Sequence, residues 1–79
     1  MKKNFKIGMK VSLGREHGIV IKSKDDQSDF CGLIRWDSSE ESDIEDWRGL
    51  FGTFIDMGGK ILNPSYSFKF INDNGSLKV

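Results

Sequence analysis

Met9, Val11 and Leu13 alternate with Lys10 and Ser12, a period of two that predicts a half-buried strand over residues 9–13, closed by Gly14. Gly14 and Gly18 bracket Arg15, Glu16 and His17 as a turn, and the β-branched run Ile19, Val20, Ile21 starts a second strand that continues through Lys22 and Lys24. A third strand is expected over residues 30–36. Ile34 and Trp36 fall on one of its faces with Phe30 and Gly32, and Cys31, Leu33 and Arg35 on the other. Apolar groups on both faces place this strand in the interior of a sheet.

Residues 37–46 carry six carboxylates (Asp37, Glu40, Glu41, Asp43, Glu45, Asp46) and one apolar side chain, Ile44. Such a segment cannot bury itself and is expected as a solvated loop. The aromatic-rich stretch that follows predicts a short helical turn over residues 47–51 and a strand over 53–57. Gly58-Gly59 suits a primed hairpin turn that returns the chain through residues 60–62. Asn63, Pro64 and Ser65 break the chain, and Tyr66, Phe68 and Phe70 alternate with Ser67 and Lys69 as a final strand over 66–71. Five or six short strands with almost no helix predict an all-β fold, most economically a small closed barrel, because closure removes exposed edges.

Seventy-nine residues are enough for one core. The expected layout is a flexible N-terminus at 1–7, a single domain at 8–72 and a C-terminal tail at 73–79. A chain this short hides only about 60% of the surface its unfolded form exposes, so homo-oligomerisation or complex formation is an expected source of extra stability. One cysteine, Cys31, excludes an intrachain disulfide and a thiolate zinc site and suits a reducing cytoplasm. No apolar run approaches the 18 residues of a membrane span, and the start of the chain lacks the apolar stretch of a secretory leader.

Net charge is zero but unevenly placed. Residues 1–24 hold seven basic side chains against Glu16, whereas residues 25–46 hold nine acidic ones against Arg35. Strands far apart in the chain can lie side by side and cancel each other's field, so a soluble mixed surface is the favoured reading of this split.

Gly8-Met9-Lys10-Val11, Gly18-Ile19-Val20-Ile21, Leu33-Ile34-Arg35-Trp36-Asp37 and Asp46-Trp47 together resemble the SH3-like barrel modules of the Tudor and KOW type, over residues 8–50. That resemblance implies an SH3-like barrel working as a docking surface. The acidic segment after Trp36 is longer than such modules carry. In style the chain also resembles the short accessory proteins of tailed bacteriophages, which implies a binding partner in the host cytoplasm.

Chemistry is expected from neither His17, a lone histidine in a turn, nor Cys31, which sits among apolar neighbours and behaves as a small hydrophobe. The acidic segment lacks the glycine and terminal glutamate of a calcium loop, and the glycine pairs lack the spacing and lysine of a phosphate loop, so no metal or cofactor is expected. The chain therefore reads as a non-enzymatic binding module. A protein partner is expected at Asp37, Glu40, Glu41, Asp43, Glu45 and Asp46 with the flanking rings of Trp36, Trp47 and Phe51. The alternative is an RNA- or DNA-binding barrel that lays a phosphate track along Lys10, Arg15, Lys22 and Lys24. A pI near 6.6 weighs against it.

Overall fold

A computed structural model of the chain describes residues 4–22, 32–40 and 42–78. Strands β1 (Lys10–Leu13), β2 (Glu16–Ile21), β3 (Leu33–Trp36), β4 (Ile44–Asp46) and β5 (Lys60–Ile61) form one antiparallel sheet in the order β4-β3-β2-β1-β5. Among the described residues one helix, α1 (Phe51–Asp56), stands between β4 and β5. This is a small all-β domain, and β3 lies in the interior of its sheet, flanked by β2 and β4.

The sheet is open. β4 and β5 are its two edges, and among the described residues no strand joins them, so the expected barrel does not close. Two segments explain the difference. Residues 53–57, expected as a strand, belong mostly to α1. Phe51 and Phe54, three positions apart, point that helix into the core, and Ile55 stays exposed. Residues 66–71, expected as the last strand, join no ladder and make only the isolated bridge Ile71↔Leu77.

Gly58-Gly59 ends the helix and is not a hairpin turn. Gly58 takes φ +96° and donates to the Ile55 carbonyl at 3.0 Å, while Gly59 donates to the Phe54 carbonyl at 2.9 Å. These are the two bonds of a Schellman cap. The expectation failed because the same positive-φ preference serves both turns.

Strand alternation sorts the side chains onto two covered faces. On one, Val11, Val20, Ile34 and Trp36 pack with Phe5 and Phe54, joined by half-buried Met9, Leu13, Trp47 and Phe51. Phe54 anchors this layer, with ring centroids 5.4 Å from Phe5 and 5.2 Å from Trp47, both edge-to-face. Phe5 is buried there, so core packing begins ahead of Gly8, whereas Ile7 is exposed. On the other face, Ile19 packs with Phe68 and Ile71 of the C-terminal segment, with Ile21 and Tyr66 beside them. Gly18 lets β2 and β3 approach closely. An added Cβ there would lie 2.8 Å from the Arg35 carbonyl oxygen and 2.9 Å from the Trp36 ring.

Polar side chains hold the C-terminal segment where a strand ladder does not. The Lys10 ammonium, nearly buried, donates to the carbonyls of Pro64 at 2.6 Å and Tyr66 at 2.5 Å and meets the Asp73 carboxylate at 3.1 Å. From the other side, the Lys78 ammonium donates to the Phe68 carbonyl at 2.5 Å.

Candidate functional site

Part of the acidic segment is an edge strand where a solvated loop is expected, and Arg35 ties the bend that precedes it. Its guanidinium, only 3% exposed, donates to the carbonyls of Trp36 at 2.5 Å, Ser38 at 3.2 Å and Asp43 at 3.5 Å. A buried cation demands partners, and here backbone carbonyls on both sides of the bend supply them. Ile44–Asp46 then pairs with β3, in the register Arg35↔Ile44, Ile34↔Glu45 and Leu33↔Asp46. Pairing needs no burial of side chains, and all three β4 residues remain exposed.

The expected site residues divide into two groups. Trp36 is in the core, 2% exposed, and its indole N–H donates to Glu45 Oε1 at 2.6 Å. Asp37 uses both carboxylate oxygens internally, accepting the backbone N–H groups of Lys69 at 2.8 Å and Phe70 at 2.6 Å. Neither is a freely offered contact. Glu40, Glu45 and Asp46 are exposed along the β4 edge and Asp43 is half-buried beside them; Glu41 lies outside the described residues. Trp47 and Phe51 are half-buried, each with a ring packed edge-to-face on the core, against Phe54 and Phe5.

Asp46 is organised by its neighbour. Arg48 donates from Nε and Nη2 to its two oxygens at 2.9 Å each, and from its backbone N–H at 3.0 Å. The guanidinium hydrogen bonds, helped by the backbone bond and by the charge of Arg48, hold the carboxyl down from its ordinary 3.8 to about 2.

On the basic side, Lys10 is buried against the C-terminal segment, its ammonium held by the carbonyls of Pro64 and Tyr66. Arg15 and Lys22 are exposed. Lys24 and Cys31 lie outside the described residues.

Two cavities escaped the sequence. One, of about 330 Å³, lies between the start of β2 and the C-terminal segment, lined by Arg15, His17, Asp37, Asp43, Tyr66 and Phe70. Its wall is the His17–Tyr66 pair, stacked at 5.1 Å and 13°. The expected turn histidine is thus half-buried at the end of the β1–β2 hairpin, across the strand from Ser12. The second, of about 350 Å³, opens beside β5 and is lined mainly by Lys6, Ile7, Met9, Ile61, Leu62 and Pro64. No local pattern signals either one, because each joins segments far apart in the chain.

Among the described residues no helix is long and apolar enough to cross a membrane, and no group of three or more His, Cys, Asp or Glu side chains gathers as metal ligands. No protein-family model, curated protein or solved structure matches the chain.

Proposed function

We propose that this chain is a non-enzymatic docking module that binds a basic segment of a partner protein along its acidic edge. The observation that carries this reading is β4 itself. It is an edge strand whose three residues are all exposed, and it presents Glu45 and Asp46 beside Glu40 and Asp43. Carboxylates set beside a strand paired to the sheet are partly placed before the partner arrives, which reduces the ordering cost of binding. Their field also speeds encounter with a cationic surface.

The contact set narrows relative to the sequence expectation. Glu40, Asp43, Glu45 and Asp46 make the contacts, with Trp47 and Phe51 flanking them, whereas Trp36 and Asp37 hold the surface in shape. The resemblance to phage accessory proteins favours a host protein as partner and adds no residue to this surface.

Capture from lysate on the immobilised protein, with and without nuclease, tests the reading. Protein should be retained at low salt, released at high salt, and lost with Glu40→Lys/Asp46→Lys while Arg15→Glu leaves capture intact. Recovery of nucleic acid alone, abolished by Arg15→Glu, overturns it.

A further inference from the structure

The two edges of the sheet carry opposite charge, and we infer that β4 of one copy pairs with β5 of another, joining molecules head to tail. This rests on the docking reading of the acidic edge and names a second copy as its occupant. The cavity beside β5 is lined by apolar groups and by the exposed Lys6, with no carboxylate in its wall; Lys10 also lines it, but its ammonium is held by the C-terminal segment. Lys60 adds a second exposed cation on the strand. Ile7 and Ile61, 56% and 48% exposed, form its apolar lip. At the other edge Ile44, 42% exposed, stands beside Glu45 and Asp46.

The backbone is aligned for the same pairing. Leu62 donates to the Lys10 carbonyl, so in the register Val11↔Ile61 the N–H and C=O of Ile61 point away from β1. Trp36 donates to the Asp43 carbonyl and Trp47 to that of Gly32, so the corresponding groups of Asp46 point away from β3. Setting Asp46 opposite Ile61 in antiparallel sense lets the two residues exchange both hydrogen bonds. In that register Ile44 falls opposite Asn63 and diagonal to Ile61 on the same face, and Glu45 falls opposite Leu62 and diagonal to Lys60.

Charge selects this arrangement over its rivals. Pairing β4 with β4 opposes Glu45 and Asp46 to themselves, and β5 with β5 opposes lysines, both unfavourable. Short charged edges ordinarily suppress pairing; here the suppression acts only between like edges. Because the contact uses two different surfaces, it propagates into a ring or an open chain of molecules.

Sedimentation equilibrium over a concentration series, at low and high salt, tests this with three purified proteins: the wild type, Lys6→Glu/Lys60→Glu, and Glu40→Lys/Asp46→Lys. The wild-type mass should rise with concentration at low salt, pass that of a dimer and fall to monomer at high salt. Each variant alone should associate at least tenfold more weakly, and their equimolar mixture should recover assembly. A wild type that stays monomeric, a mass that stops at dimer, or variants that assemble as the wild type does overturns the inference. If the Glu40/Asp46 variant fails to fold, as circular dichroism would report, the lysine variant and the salt series still decide. A monomeric wild type that retains nuclease-resistant protein overturns self-pairing alone and leaves the docking reading intact.

Discussion

The indole N–H of buried Trp36 donates to the carboxylate of exposed Glu45 at 2.6 Å, so a residue of the acidic edge is also a support of the core. β4 therefore cannot shift its register without stranding a buried donor. Glu45→Ala removes the only acceptor this N–H has among the described residues and should cost about 1–3 kcal/mol, the penalty for an unpaired buried polar group. Glu45→Gln keeps an acceptor and should cost less than half as much. Urea denaturation followed by tryptophan fluorescence measures both.

Lys10 exchanges a surface role for an internal one. Lys10→Met fills the same space but leaves the carbonyls of Pro64 and Tyr66 without their donor, and should destabilise by about 1–3 kcal/mol. Lys10→Glu places a carboxylate against two carbonyl oxygens and should prevent folding altogether. Thermal unfolding by circular dichroism checks the pair. Intact folding of the Glu variant would show that the ammonium is not held as described.

Lys10 also shows where the sequence stopped being legible. Its place in the 9–13 alternation correctly gave the strand and the face, since period two is a local property. What covers that face is a matter of chain return from residues 63–78, which no local pattern encodes. A solvated lysine and a lysine capped by distant carbonyls look the same in sequence. Arg35 is a parallel case. Its guanidinium ties the bend that precedes an edge strand, in a segment whose composition predicts a free loop. The helix at Phe51–Asp56 was half legible: the aromatic spacing fits a turn, yet the glycines after it serve a hairpin and a helix cap equally. As for the candidate site, the acidic segment was readable from charge but its edge strand was not, and the internal roles of Trp36 and Asp37 depend on partners 9 and 32 or more positions away.

Two glycines should respond oppositely to the same substitution. At Gly18 the new methyl would meet the Arg35 carbonyl oxygen and the Ile34 side chain at 2.8 Å. Gly18→Ala must therefore push β2 and β3 apart, at a cost of about 1–3 kcal/mol. Gly52, inside α1, has nothing within 4 Å of the added carbon. Gly52→Ala should stabilise by up to about 1 kcal/mol through helix propensity. Midpoints of chemical denaturation report both signs in one experiment.

Asp46 supplies a pH signature. Its folded value of about 2 lies below the ordinary 3.8, so the unfolded chain binds the proton more readily. The associated stability is present above about pH 4 and drains away as pH falls through about 2. Asp46→Asn removes the titrating group, so the difference in stability between wild type and variant should be flat above pH 4 and shrink between pH 4 and 2. Arg48→Met should abolish the same pH-dependent component. A constant difference across that window would show that Arg48 does not hold the carboxyl down.

The clamp between Asp37 and the C-terminal segment has a local readout. Two carboxylate oxygens accept two consecutive N–H groups, those of Lys69 and Phe70, and the Asp37 backbone N–H donates to the His17 carbonyl at 2.7 Å. Charge-assisted bonds of this kind contribute about 1.5–3 kcal/mol each when a partner is removed. Asp37→Asn keeps one acceptor and turns an amide NH₂ toward the other N–H, a donor facing a donor. Hydrogen exchange at Lys69 and Phe70 should accelerate at least tenfold, while amides of β2 and β3 change far less, because those strands are secured by their own ladder. Equal acceleration across the sheet would mean that the segment and the sheet open as one unit, and that the clamp stabilises the whole fold and not the segment alone.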